Sequence, residues 1–250
     1  MIPKIIHYCW LSGDEYPEDI KKCISSWKRI MPDWEFRLWD KECLKEIDEV
    51  WVHEAYQAKV YAHASDYIRL YAVYKYGGFY LDTDVEVIKD FSPLLKYRYV
   101  FGMENCSGYI EAATFGAEAG NPYIKKCLDF YHNKHFINED KTNNIRIIIP
   151  IVMRDIFGDF SIINDISLLD HTSDRIQVLS HEFFSPKHHT NNSLTCITDN
   201  TFSIHQFKNA WVKPTTKIAR KIYGKMGKNW YEFSLSAWKI WLRLRGKKVY

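Results

Sequence analysis

The sequence predicts an α/β fold with a mixed central sheet flanked by helices. Two observations carry that prediction. Short apolar runs of strand length alternate with longer stretches whose apolar residues recur at helical spacing. In the stretch 65–86, SDYIRLYAVYKYGGFYLDTDVE, an amphipathic helix meets two glycines, and a short aromatic strand follows and closes on Asp82-Thr83-Asp84.

Taken in order, 2–10 reads as a buried strand. Pro17 opens a helix, since its missing N–H costs nothing in a first turn, and Ile20, Cys23, Ile24, Trp27 and Ile30 form its apolar face. The alternation over 34–39 predicts a second strand, and Asp40 can cap a short helix after it. One helix is expected over 55–76. Gly77 and Gly78 end it, because glycine takes the left-handed C′ conformation cheaply. Further strands are expected at 97–102, 109–116, 175–179 and 202–204, and helices at 122–132 and 143–157. The last forty residues read as two helices, 215–223 and 230–245. These readings divide the chain into a body, 1–211, and a C-terminal segment, 212–250.

Composition sets bounds. A chain of 250 residues with 46% hydrophobic and 26% charged residues is an ordinary soluble globular composition. The six cysteines (9, 23, 43, 106, 127, 196) form no C-x-x-C pair, which argues against a zinc ribbon and for reduced thiols. The opening MIPKIIHYCWLSG has too short an apolar run for a signal peptide, so a cytoplasmic location is expected. The net charge of +3 conceals an asymmetry. Residues 211–250 hold eight Lys, three Arg and one Glu, a net +10, which leaves −7 on the rest. Basic residues interleaved with Trp and Leu suit an anionic lipid surface, so the segment reads as a peripheral membrane contact on the inner face of the plasma membrane, or as helices packed on the body or on a second copy. The acidic remainder speaks against nucleic acid.

Chemistry concentrates at Asp82 and Asp84. Two carboxylates at i and i+2 share a face if extended geometry continues, and that pairing suits a hard divalent cation. Asp66 and Arg69, at i and i+3 on the preceding helix, form an intrahelical ion pair or reach a sugar hydroxyl and a phosphate. His7 and Trp10 stand at the C-terminal end of the first strand, where open α/β sheets gather ligands. His205 follows a short apolar strand and could complete a metal site. His188-His189 lies in a polar loop that reads as solvated surface.

IPKIIHYCW, SDYIRLYAVYKYGGFYLDTDV and IHQFKNAW together resemble glycosyltransferase family 32, which includes bacterial capsular and lipopolysaccharide sugar transferases and is similar to the glucosylating domain of the large clostridial toxins. The resemblance spans roughly 1–211. It implies a GT-A-like nucleotide-sugar-binding fold, a Mn²⁺ or Mg²⁺ ion, a nucleotide-sugar donor, a saccharide acceptor and retention at the anomeric carbon. Carried over, Trp10 stacks on the donor base, and Ser65, Asp66 and Arg69 hold the donor sugar, with His7 in the donor-binding set. Tyr80 sits beside the donor, Asp82 meets ribose and metal, and Asp84 ligates the metal. His205 contacts metal and diphosphate, and Trp211 lies near the leaving phosphate. The family often shows a second His or a Ser-Trp pair where this chain has Gln206 and Ala210-Trp211.

The function expected is therefore a metal-dependent, retaining hexosyl transfer, UDP-sugar favoured, to a saccharide acceptor, lipid-linked in keeping with the basic segment, in capsular or cell-surface polysaccharide synthesis. Asp66, Arg69, Asp82 and Asp84 form its catalytic set. Same-face attack is preferred to a covalent intermediate, for which Glu104 or Glu111 would have to serve as nucleophile. Two other classes compete. An aspartate-nucleophile phosphohydrolase also follows a strand with D-x-D, but has Thr or Val where this chain has Glu86. A non-catalytic sugar- or lipid-binding protein is the third reading.

Overall fold

The computed structural model describes residues 1–208 apart from 106, 144–146, 173–174, 189–192 and 195–196. Trp211 and both helices expected after it lie outside the described residues.

The elements run β1 (Ile5–Cys9), α1 (Glu18–Ile30), β2 (Glu35–Trp39), α2 (Val50–Gln57), α3 (Tyr61–Tyr76), β3 (Gly78–Leu81), β4 (Val85–Val87), β5 (Tyr99–Val100), β6 (Thr114–Ala117), α4 (Pro122–Tyr131), α5 (Ile149–Phe157), β7 (Phe160–Ile163), β8 (Ile176–Leu179) and β9 (Ser203–His205). Five strands form a sheet in the order β2-β1-β3-β6-β5. The first three are parallel, and β6 and β5 run antiparallel to their neighbours. This is the mixed α/β architecture the sequence predicts. Two small ribbons add to it: β4 with β9, antiparallel, and β7 with β8, parallel.

The side-chain alternation of β3 divides the core. Phe79 and Leu81 point to the face where Ile20, Ile24 and Trp27 of α1 pack, while Tyr80 points to the face covered by α2, α3, α4 and α5. Trp27 is fully buried and its indole N–H donates to Val85 O at 2.7 Å, which ties α1 to β4. Burial of a side chain of this size stabilises by roughly 2–3 kcal/mol.

Several boundaries differ from expectation for identifiable reasons. The helix expected over 55–76 is two helices. At the break, Lys59 takes a left-handed φ of 58° and Val60 N donates to Ala55 O at 2.9 Å, a Schellman-type end built without glycine. The helix expected from 143 starts at Ile149, with Pro150 in its first turn, where proline loses no hydrogen bond. The strand expected over 109–116 pairs with β3 only from Thr114. The ribbon strands β4 and β7 were not anticipated.

Gly77 and Gly78 do end α3, at φ 67° and 103°. A Cβ on Gly78 would lie 2.6 Å from Ile5 O, and one on Gly77 2.8 Å from Pro3 Cδ. The turn therefore needs glycine for space as well as for conformation. It folds β3 back along α3, so the start of the helix meets the end of the strand. Among the described residues no helix is long and apolar enough to cross a membrane, and Cys9, Cys23, Cys43 and Cys127 are free thiols.

Candidate active site

Asp82 to Val85 is a tight turn, closed by Val85 N donating to Asp82 O at 2.9 Å. The two aspartates are thus gathered by a turn, not by a continued strand. Directly after it, β4 pairs with β9 so that Val85 lies opposite His205. That register delivers the imidazole to the aspartates: ligand atoms of Asp82, Asp84 and His205 all lie within 4.8 Å of one another. His205 Nε2 is 3.6 Å from Asp84 Oδ1. The backbone N–H of Lys208 donates to Asp84 Oδ2 at 2.8 Å and that of Gln206 to Asp84 O at 3.0 Å, so the segment after β9 is pinned over the turn.

Beneath this corner lies a buried layer. Arg69 is 5% exposed, and its guanidinium is turned entirely to protein groups. Nε donates to Ser65 O at 3.2 Å, one terminal nitrogen to Ala112 O at 2.8 Å and Asp82 Oδ2 at 3.4 Å, and the other to Ser65 Oγ at 3.1 Å. The latter nitrogen is also 3.3 Å from Asp66 Oδ1 and from Asp82 Oδ1. The guanidinium carbon stands 4.7 Å from the centre of the Tyr80 ring, and the Tyr80 hydroxyl donates to Asp82 Oδ1 at 2.8 Å. Burial alone would lower the Arg69 pKa, but Asp82, Tyr80 and Asp66 hold it above its usual value. Burial raises the Asp66 carboxyl to about 7, against the opposing pull of Arg69 and with Asp82 adding to the rise.

Several expectations change here. Arg69 and Tyr80 face inward, so Arg69 organises Asp66 and Asp82 and its fork is not open to a phosphate, while the Tyr80 ring is covered by it. Ser65 likewise spends its hydroxyl on Ala62 O and Arg69. His7 is fully buried, and both ring nitrogens are taken. Trp39 Nε1 donates to Nδ1 at 3.1 Å, and Nε2 donates to Gly77 O at 2.8 Å. Burial lowers its pKa to about 4. It is a neutral structural bolt between β1, β2 and the Gly77 turn and offers no atom to a donor. Trp10 remains half-buried, its indole N–H given to Asp14 O at 2.8 Å and its ring tilted against Tyr16 at 4.9 Å. Asp82, Asp84 and His205 keep part of their side chains open at this corner, 28%, 14% and 14% exposed.

The segment carrying this turn has a known counterpart. A family model described as "Glycosyltransferase sugar-binding region containing DXD motif" matches residues 17–101. Over that span the chain is similar to the sugar-binding region of the DXD glycosyltransferases. It is 34% identical over 143 residues to inositol phosphoceramide mannosyltransferase 3 of Schizosaccharomyces pombe, covering 54% of this chain and 40% of that one. It is 25% identical over 186 residues to an uncharacterised glycosyltransferase of Acanthamoeba polyphaga mimivirus, covering 68% and 71%. Among solved structures, the PaToxG glycosyltransferase aligns with a TM-score of 0.49 at 20% identity, over 62% of this chain and 68% of that one. The match takes in less than half the length of the first fungal relative.

The DXD turn fits a hard or borderline divalent ion by donor type: two carboxylates and one imidazole suit Mn²⁺ or Mg²⁺ better than a soft metal. The charges around it are tightly linked. Burial and the neighbouring Asp82 raise the Asp84 carboxyl despite His205. Burial by itself lowers His205, but Glu111 and Asp84 raise it to about 10. Glu111, which the sequence offers with Glu104 only as the carboxylate a double displacement would need, is 2% exposed and lies against the His205 ring. Its one sequence signal is a carboxylate inside the apolar run YIEAATF. Gln206, in the place of a second family histidine, joins Lys187 and Glu86: it receives Lys187 Nζ at 2.8 Å and donates to Glu86 Oε2 at 2.9 Å.

Proposed function

We propose that this protein is a divalent-metal-dependent glycosyltransferase that moves a hexose from a nucleotide-sugar donor to a saccharide acceptor with retention of configuration. The observation that carries the reading is the meeting of Asp82, Asp84 and His205 at the DXD turn, with Arg69 locking Asp82 from beneath. When bound, the ion supplies positive charge against the negative charge that develops on the departing diphosphate.

The chain's own groups divide the remaining work. Asp82, Asp84 and His205 would hold the ion. Arg69 and Tyr80 fix the Asp82 rotamer, so the carboxylate meets its ligand without reorganising. Asp66, with its carboxyl near neutrality, can accept from or donate to a sugar hydroxyl at the edge of that layer. Trp10 offers the aromatic surface for a base. Same-face attack is favoured over double displacement through Glu111, because that carboxylate accepts from Ala113 N at 2.7 Å and faces His205. An aspartate-nucleophile phosphohydrolase is disfavoured on similar grounds: Tyr80 and Arg69 engage both oxygens of Asp82.

The names of the fungal relatives, inositol phosphoceramide mannosyltransferases, bring a mannosyl donor and an inositol phosphoceramide acceptor into consideration beside the UDP-sugars. The polysaccharide setting and the inner-membrane location rest on the resemblance and on the basic segment 211–250. A thermal-shift panel of UDP-glucose, UDP-galactose, UDP-N-acetylhexosamines and GDP-mannose, each with and without Mn²⁺, tests the reading. A ligand that binds only the folded state raises the midpoint by mass action. A midpoint rise for one nucleotide sugar, dependent on Mn²⁺, is expected; no shift with any of them would refute the donor assignment.

A further inference from the structure

His205 has one nitrogen at the aspartates and the other in the protein interior, and the interior partner is a carboxylate. Nδ1 sits 3.3 Å from both oxygens of Glu111. Glu111 comes from a part of the chain distinct from either ribbon strand: its backbone N–H donates to Gly102 O at 2.8 Å, and its Oε1 accepts from Ala113 N at 2.7 Å. The carboxylate is therefore anchored before it meets the ring. The ring itself is held flat by Phe207, stacked at 3.9 Å and 29°. An apolar side chain would fill the same volume without taking a charge out of water, so a carboxylate here calls for a reason beyond packing.

We propose that Glu111 is the positioning carboxylate of the metal corner: it takes the Nδ1–H of His205 and leaves Nε2 as the nitrogen turned to the ion. The inference rests on the metal reading given above and extends it to a residue outside the ligand set. A histidine ligand that donates its second N–H to a carboxylate is fixed in tautomer and orientation and is the more basic for it. Glu111 touches neither donor nor acceptor and acts through His205 alone.

The test measures Mn²⁺ affinity of the full 250-residue chain by titration calorimetry and by loss of the free-ion electron-spin signal, for the wild type, E111A, E111Q, H205A and the E111A/H205A pair. Loss of a carboxylate of this kind weakens metal binding by roughly 10–100-fold, and that is the loss expected for E111A. E111Q, which keeps the shape and one acceptor, falls between E111A and wild type. In the H205A background, E111A is expected to change affinity less than twofold, because its route to the ion is already gone. E111Q guards against misfolding of the alanine variant. Wild-type affinity in both Glu111 variants, or an equal further loss in the H205A background, overturns the assignment alone. A wild type that takes up no Mn²⁺ overturns the metal reading and the assignment with it.

Discussion

Tyr80, in β3, and Asp82, in the turn just after it, are joined by a 2.8 Å hydrogen bond in which the buried phenol donates to the carboxylate. Arg69 closes over the same pair. The phenol thus braces Asp82, and the Arg69 guanidinium covers its ring. Y80F keeps the ring under Arg69 and removes the brace. It should lower stability by about 2 kcal/mol, the usual cost of a hydrogen bond to a charged group. If the brace also serves transfer, kcat falls roughly tenfold for each 1.4 kcal/mol lost from the transition state. Urea unfolding and initial rates measure the two effects; a Y80F enzyme unchanged in both removes the brace from the account.

Arg69 stands between two carboxylates and three backbone or hydroxyl acceptors. R69A leaves Asp66 and Asp82 without their cation and should cost about 3–5 kcal/mol. R69K keeps the charge, but one ammonium cannot reach Ser65 O, Ser65 Oγ and Ala112 O in the fork geometry. Its urea midpoint should fall between R69A and wild type. A wild-type midpoint for R69K would show that the charge matters and the planar fork does not.

Asp66 gives a pH signature. Its folded carboxyl titrates at about 7, above the ordinary 3.8, because of burial. Between those values the folded state holds a proton that the unfolded chain releases. Asp66 therefore favours folding below pH 4 and loses that contribution as pH rises toward 7, by at most about 1.4 kcal/mol per unit. The stability of D66N relative to wild type should rise across that window. A difference that stays flat from pH 4 to 7 would place the Asp66 pKa in the normal range.

At the metal corner, D84N and treatment with a chelator should have the same consequence. Both remove charge stabilisation worth several kcal/mol, so transfer falls roughly a thousandfold. The circular dichroism spectrum should not change, since asparagine keeps the size of the side chain and an oxygen to accept from Lys208 N. Readdition of Mn²⁺ should restore the chelated wild type and not D84N. Turnover by D84N near the wild-type rate would exclude Asp84 from the metal set.

What could be read in advance follows from how local each contact is. The apolar spacing of α1, the Gly77-Gly78 stop and the D-x-D after β3 each rest on residues close together in the chain, and each is legible in the sequence. The α2–α3 break was not, because a left-handed lysine carries no compositional mark. The ribbon strand β4 is three residues long, too short for alternation to register. His7 was read as ligand-facing because strand-end position says nothing about which way a ring turns; Trp39 and Gly77 decide that. Asp82, Asp84 and His205 are anticipated as a set and do come together, but the Glu111 partner behind His205 is 94 residues away, and its place in an apolar run does not say which side chain it meets.

The Gly77-Gly78 turn has a kinetic consequence. By folding α3 onto β3 it makes the Arg69–Asp82 contact one of only 13 residues' separation, whereas the Lys208–Asp84 contact that secures His205 spans 124. Closing the longer loop costs about 2 kcal/mol more chain entropy. The buried arginine layer can therefore assemble early, as a hairpin of helix and strand, and the corner that would receive the ion waits for β9 to dock. During refolding, recovery of Mn²⁺ affinity should lag behind protection of the α3 amides.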